Sequence, residues 1–437
     1  MPIQPGYLEL AGRIADFLAP SLAEDWPMLP VERAEGVYLY GADGRQYLDY
    51  TSGIGVVNVG HCHPRVLQAA QAQMERMVHG AIGITLHESL LRLCQALPPV
   101  MPEGMNMFFF GNSGAEAIEG ALKLARYVTR RPAIIAFEGG FHGRSYGAAS
   151  VTSAKVKYRL HYEPFLPGVY FVPYANPYRC PLGDEPERAI EWSLGRIAKL
   201  FEHVVAPEEV AAILVEPVQG EGGYIVPPAG FLKALRRICD EHGILLIFDE
   251  VQTGFGRTGQ MFAAQTFDVR PDIMAIAKSI ASGFPLSATV ASRELMSQWK
   301  AGAHGTTFGG NPVACAAALA TLQVICEEDL LANCRRMGSR LLTGLQELGA
   351  RHPFVGQVRG IGLMTAIEMI RTGHGREPDG ERAMALLDGC LQRGLLGYMC
   401  GTRGQVARFL PPLCVTADQI DQALGIIAES LDAIEAR

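Results

Sequence analysis

The sequence predicts an α/β protein: one large unit with a mostly parallel sheet sandwiched by helices, and a smaller α+β unit assembled from both chain ends. Three observations carry this. From about residue 105 to 292, short apolar runs alternate with helix-length segments, the pattern of strands joined by crossover helices. Before and after that stretch the texture changes to hairpin and long-helix patterns. The chain has 437 residues, more than one hydrophobic core usually supports. The expected division is 1–58 and 313–437 for the smaller unit and 59–312 for the large one.

In chain order, an amphipathic opening segment leads to Val37–Tyr40 and Gln46–Tyr50, which flank Gly41-Ala42-Asp43-Gly44. Asp-Gly between alternating apolar runs signals a hairpin. The seven candidate strands of the central region are Met107–Phe110, Ala133–Phe137, Val169–Pro173, Ala211–Glu216, Ile244–Asp249, Ile273–Ala277 and Ser287–Ala291. Their nearly unbroken apolar character fits strands buried on both faces. Helices between them include Ala115–Val128, with Ile118, Leu122 and Ala125 on one face, and Phe231–His242, closed by Gly243. Further on, an Ala-rich helix runs from Ala314, Val358–Ile370 reads as a strand and Ala383–Arg393 as a helix. Thr416 and Gln419 have capping-box spacing ahead of a last apolar helix.

The formal charge is −7 and Lys and Arg are nowhere concentrated, which argues against a nucleic-acid partner or an anionic membrane surface. Small anionic substrates have to be caught by local arginines. Ten cysteines are scattered without a C-x-x-C pair, as in reduced proteins. Met1-Pro2-Ile3-Gln4-Pro5-Gly6 lacks a basic-then-apolar leader and no apolar run reaches membrane length. A soluble cytoplasmic protein is expected.

Chemistry concentrates at strand ends. Gly111-Asn112-Ser113-Gly114-Ala115-Glu116 follows a strand and opens a helix, so small residues let an anion approach the first free N–H groups. Such turns also serve as plain connections. No G-x-x-x-x-G-K-[ST] occurs, and Gly254-Phe255-Gly256-Arg257-Thr258-Gly259 sits too far past its strand for a dinucleotide fingerprint, with only the short segment Gln260–Phe267 behind it. A single phosphate monoester near Ser113 fits better.

Asp249 and Lys278 each close an apolar run, one helix-and-strand unit apart. A carboxylate that holds a protonated pyridine nitrogen and an amine that holds an aldehyde are what pyridoxal phosphate needs. Taken singly, Asp249 could merely cap the next turn and Lys278 could snorkel from a strand end. The Gly- and Pro-bearing loop Ser282-Gly283-Phe284-Pro285 after Lys278 favours close approach of a ligand instead. His61-Cys62-His63 has no accompanying ligand cluster, so it reads as a turn before Pro64 and no metal is expected.

The chain resembles the class III pyridoxal phosphate aminotransferases over nearly its whole length. The resemblance is carried by Gly53-Ile54-Gly55, Gly60-His61-Cys62-His63-Pro64, Gly111 to Ala117, Phe141-His142-Gly143-Arg144, Glu216-Pro217-Val218-Gln219-Gly220-Glu221-Gly222-Gly223, Asp249 to Gly259, Lys278, Thr307-Phe308-Gly309-Gly310-Asn311-Pro312 and Arg408-Phe409-Leu410-Pro411-Pro412. It implies the fold type I architecture and a homodimer, with or without further pairing into tetramers, whose sites lie at the interface. It further implies that Ser113, Gly114 and Ala115 hold the phosphate with Thr307 of the other subunit, that Phe141 and Val251 cover the two ring faces, and that Gln252 reaches the ring hydroxyl. His142 and Glu216 complete the cofactor set beside Asp249 and Lys278.

For substrate, the resemblance is nearest to 4-aminobutyrate aminotransferases. It implies that Arg144 binds the remote carboxylate of an ω-amino acid and Arg408 the α-carboxylate of glutamate or 2-oxoglutarate. Glu221 would pair with Arg408 and release it in turn, while Ile54, with Gly55 and Ile82, shapes the pocket. Either arginine would otherwise be a surface salt bridge. The expected reaction moves an amino group from an ω-amino acid to 2-oxoglutarate in a ping-pong cycle, with Lys278 as proton carrier. Tyr178-Arg179-Cys180-Pro181-Leu182 matches those enzymes only loosely. Ornithine, acetylornithine and amine–pyruvate transaminases share these motifs, as does an amino acid epimerase. A noncatalytic pyridoxal phosphate-dependent regulator would need a DNA-binding segment, and no part of the chain is spare for one.

Overall fold

The computed structural model describes residues 7–22 and 28–435. Met1–Gly6, read above for a leader, lie outside the described residues.

The seven central strands form one sheet in the order Met107–Gly111, Ser287–Ala291, Ile273–Ile276, Leu245–Asp249, Val210–Val215, Ala133–Phe137, Val169–Val172. Ser287–Ala291 runs against both its neighbours, and the remaining pairs are parallel. Every residue of Val210–Val215 and Ala133–Phe137 is buried, because helices cover both faces of such a sheet. Helix Gly114–Thr129 packs against Ser287–Ala291 and Ile273–Ile276, and Thr289 Oγ1 donates to its Ala117 carbonyl at 2.8 Å. The parallel strands place Val215, Asp249 and Ile276 at one edge of the sheet, where ligands bind in open α/β sheets.

The chain ends meet in two smaller sheets. In one, the hairpin Tyr38–Gly41 and Gln46–Asp49 forms as expected, with Tyr38 opposite Leu48 and Gly44 at φ +80° in the turn. Leu395–Leu396 joins it in parallel, and Leu410 N donates to the Tyr50 carbonyl at 2.7 Å. The outer strand Val31–Glu35 was not expected; its alternation hides behind Glu32, Arg33 and Glu35 on an exposed edge. The other sheet has the order Val355–Ile361, Met364–Met369, Val406–Phe409, Tyr398–Cys400.

Val358–Ile370, expected as one strand, is therefore two, turned at Gly362 with φ +56°. A Cβ at Gly362 would stand 2.5 Å from the Arg257 carbonyl, so this tight turn needs glycine. Gly254–Gly259 is a run of turns rather than a strand-to-helix junction. Within it, Arg257 is fully buried and donates to the carbonyls of Leu363 and Pro411 and to Asn58 Oδ1, binding the smaller sheets to the large one. At the carboxyl end, Thr416 N donates to Gln419 Oε1 and Gln419 N to Thr416 Oγ1, the expected capping box of Ala417–Glu435. We keep cuts at residues 58 and 312 as a proposal for the domain boundaries.

Candidate active site

A cavity of about 380 Å³ opens at the carboxyl edge of the large sheet, closed from the other side by Tyr398 and Arg408 and by the loop bearing Gly53 and Ile54. Gly114, Ala115, Phe141, His142, Arg144, Glu216, Glu221, Asp249, Val251, Gln252 and Lys278 all line it. Residues spread over three hundred positions of sequence thus face one space.

Lys278 follows strand Ile273–Ile276 and is left-handed at φ +49°. A non-glycine residue there carries strain of roughly 1–3 kcal/mol, and such outliers cluster at functional sites. Ser279 Oγ holds the turn by donating to the Gly55 carbonyl at 2.9 Å. Burial, with the Arg408 charge added, pushes the Lys278 amine down to about 8, against the opposing pull of Asp249, Glu216 and Glu221. About a tenth of the amine is then free base at pH 7 and about half at pH 8, far more than for an ordinary lysine, and the free base is the form that reacts with carbonyls.

Asp249 ends its strand and uses both oxygens. Oδ1 accepts from Val251 N at 3.0 Å, the turn-capping role, and Oδ2 lies 2.7 Å from His142 Nδ1. His142 N in turn donates to Thr152 Oγ1 at 2.9 Å. Glu216 accepts from Phe141 N at 2.9 Å and Gly220 N at 2.7 Å, and burial raises its carboxyl to about 7. Both its oxygens are engaged by backbone, so it braces the Phe141 loop and the Gly220 turn.

Ser113 caps helix Gly114–Thr129 by accepting from Glu116 N at 3.3 Å. The next N–H groups, of Gly114 and Ala115, have no partner within the helix and border the cavity. A Cβ on Gly114 would stand 2.9 Å from Val251 Cγ1, so this wall is cut close. Gln252 Oε1 is buried without a hydrogen-bond partner among the described residues, a polar atom awaiting a ligand. Helix N-terminus, Val251, Gln252, Asp249 and Lys278 fit a phosphate, a ring face, a ring hydroxyl, a ring nitrogen and an aldehyde.

Arg408 sits on strand Val406–Phe409 with its side chain 2% exposed. Its Nη2 donates to Glu221 Oε2 at 3.1 Å, and its guanidinium lies 5.0 Å from the Tyr398 ring and 5.6 Å from that of Tyr224. Burial opposes its charge, yet Glu221 more than restores it and holds Arg408 above the usual guanidinium range. Burial likewise raises Glu221, but Arg408 and Lys155 outweigh it and leave the carboxyl below its ordinary value. Arg144 stacks 4.9 Å from the Tyr158 ring and makes no ion pair among the described residues; Ile54 stands 41% exposed at the mouth.

Four expected residues, Gly55, Ile82, Ser113 and Thr307, line no wall of their own chain's cavity. Thr307 is exposed, and Ile82 packs beside Gly310 instead. His61 pairs with Asp49 at 2.7 Å and His63 with Glu328 at 3.2 Å, His63 also capping the helix after Pro64. Sequence reasoning missed Lys155, Tyr158, Thr253 and Tyr398. Lys155 and Tyr158 follow a motif at Arg144 but carry no pattern of their own, and Tyr398 is an ordinary strand residue.

A buried lysine just past a strand end, an acid held by histidine and a helix N-terminus bordering one cleft are the features of a pyridoxal phosphate enzyme. Residues 21–431 match the family described as Aminotransferase class-III, and the chain belongs to that family. It is thus a pyridoxal phosphate-dependent transaminase by family. It is 38% identical to a probable 4-aminobutyrate aminotransferase of Bacillus subtilis, over 92% of each chain. It is also 38% identical to an alanine/serine racemase of Pyrococcus horikoshii, over 93% of this chain and 86% of that one. Among solved structures, a pyridoxal phosphate-bound amine transaminase from an uncultivated Pseudomonas species superposes with a TM-score of 0.90 at 31% identity, covering 95% of this chain and 98% of that one.

Proposed function

We propose that this enzyme transfers the amino group of an ω-amino acid such as 4-aminobutyrate to 2-oxoglutarate, in two half-reactions that alternate in one site. The observation that carries this is the pair of arginines. Arg408 is buried and held by the Glu221 carboxylate, whereas Arg144 stands without an ion pair among the described residues on the same cavity. One guanidinium suits a remote carboxylate, the other an α-carboxylate, since planar bidentate recognition is what arginine does best. Glu221 stays on Arg408 while an ω-amino acid reacts and gives it up when a dicarboxylate arrives.

Ser113, Gly114 and Ala115 would hold the cofactor's phosphate, joined by Thr307 of a second subunit in a homodimer. Phe141 and Val251 would enclose the ring, Gln252 its hydroxyl, and Asp249 its protonated nitrogen. When bound, pyridoxal phosphate supplies the sink for the electron pair released from substrate Cα–H. His142 keeps Asp249 aimed and Glu216 keeps Phe141 in place. Lys278 takes the Cα proton as free base and returns it as acid, and Ile54 limits the donor's width. We read the enzyme as cytoplasmic.

Arg144→Ala tests the assignment: the apparent KM for 4-aminobutyrate should rise by about 100-fold, the usual scale for losing a charge-assisted carboxylate contact, and unchanged use would overturn it. A second reading, an amino acid racemase, is favoured by the similarity to the Pyrococcus horikoshii enzyme. Loss of optical rotation of a single-enantiomer amino acid without any oxo acid would establish that reading instead.

A further inference from the structure

Glu221 has one charge and two cations. Its Oε2 accepts from Arg408 at 3.1 Å, while Oε1 accepts from Lys155 Nζ at 2.7 Å and from Tyr158 OH at 3.0 Å. The two oxygens are divided between two sides of the cleft. Arg408 comes from the small sheet; Lys155 and Tyr158 come from the segment after helix Tyr146–Ser150. Residues Val156–Tyr158 form a single 3₁₀ turn, closed by Tyr158 N donating to the Lys155 carbonyl at 3.1 Å. A 3₁₀ turn stacks residues three apart, so the amine and the hydroxyl reach the same oxygen. The Lys155 and Glu221 side chains are 16% and 13% exposed, well inside the range where an ion pair escapes screening.

The consequence concerns what is left when Arg408 moves. A largely buried carboxylate stripped of its only counter-ion is strongly disfavoured, and a gate built from Arg408 and Glu221 alone would resist opening for that reason. Here Glu221 retains a salt bridge and a hydrogen bond on the oxygen that Arg408 does not use. We propose that Lys155, with Tyr158, is a positioning residue for acceptor specificity: it is the standing counter-ion of Glu221 that lets Arg408 turn to the α-carboxylate of a 2-oxo diacid. The role rests on the proposed function, because it requires that Arg408 be exchanged between Glu221 and such a substrate.

The test is Lys155→Met in the holoenzyme, with the two half-reactions followed separately by single-turnover absorbance. Binding of 2-oxoglutarate to the aminated enzyme should weaken about tenfold or more, as when one partner of a buried charge pair is truncated. The 4-aminobutyrate half-reaction, in which Arg408 stays on Glu221, should change by less than about threefold. Lys155→Arg should restore the acceptor half-reaction. In a Glu221→Gln background, where no charge is left to hold, Lys155→Met should move 2-oxoglutarate binding by less than about threefold. Equal loss in both half-reactions, an unchanged acceptor half-reaction, or a full effect in the Glu221→Gln background would each overturn the role. A wild-type enzyme that ignores both 4-aminobutyrate and 2-oxoglutarate removes the proposed function itself, and the gate with it.

Discussion

His142 Nδ1 lies 2.7 Å from Asp249 Oδ2, with both side chains at most 5% exposed. The pair forms because the loop after strand Ala133–Phe137 folds over the end of strand Leu245–Asp249, two strands away in the sheet. In so dry a place the carboxylate's direction is set by its partner, and its charge is little screened. Asp249→Asn should lower kcat by about 10²–10³, the cost of losing a preorganised electrostatic group. His142→Asn, which removes the partner that orients Asp249, should lower it roughly tenfold. Steady-state kinetics alongside the cofactor's visible spectrum check both, and a larger loss for His142→Asn than for Asp249→Asn would reverse the assignment.

Lys278 gives a pH prediction. Its amine is down at about 8 from 10.5, chiefly through burial, so uptake of pyridoxal phosphate by the apoenzyme should quicken through pH 8 and level off by about pH 9, one unit above the midpoint. The same shift affects stability. Between the folded value of about 8 and the unfolded 10.5, the unfolded chain binds the extra proton, so the apoenzyme's stability contribution from this group rises with pH in that window. Lys278→Met should lose both the uptake and this rise in denaturation experiments. A flat uptake rate from pH 7 to about 9.5 would contradict the lowered value.

Arg257 makes the prediction for the fold. It is fully buried, makes no ion pair among the described residues, and satisfies two carbonyls and Asn58 Oδ1 across the joint between sheets. Arg257→Met strands three buried acceptors, which should cost about 3 kcal/mol or more in urea unfolding. Asn58→Ala, which also removes the bond from Asn58 Nδ2 to the Phe255 carbonyl at 2.8 Å, should cost about half as much.

Legibility followed locality. The strands of the large sheet were readable because burial on both faces makes them apolar throughout, and Phe231–His242 because Gly243, at φ +60°, closes it. The turn at Gly362 was not, since an apolar run with one glycine reads as a single strand until the Arg257 carbonyl is packed against it. Glu250 illustrates the same limit: next to Asp249 in sequence, it points away to cap helix Ala263–Thr266 by accepting from Ala263 N and Ala264 N at 3.0 and 2.7 Å.

By itself the sequence determined the alternating strand and helix order, the cofactor and the residues at strand ends, because strand periodicity and the chemistry of a phosphate, a ring nitrogen and an aldehyde each demand particular residue types at short spacing. Only the tertiary structure decided that Glu221 answers to Lys155 and Tyr158 as well as Arg408, and that His142 rather than solvent faces Asp249. The pairings of Glu221 with Lys155 and Tyr158 and of His142 with Asp249 join segments 63 to 107 residues apart, and contact across such separations comes from packing and topology, which no local pattern encodes.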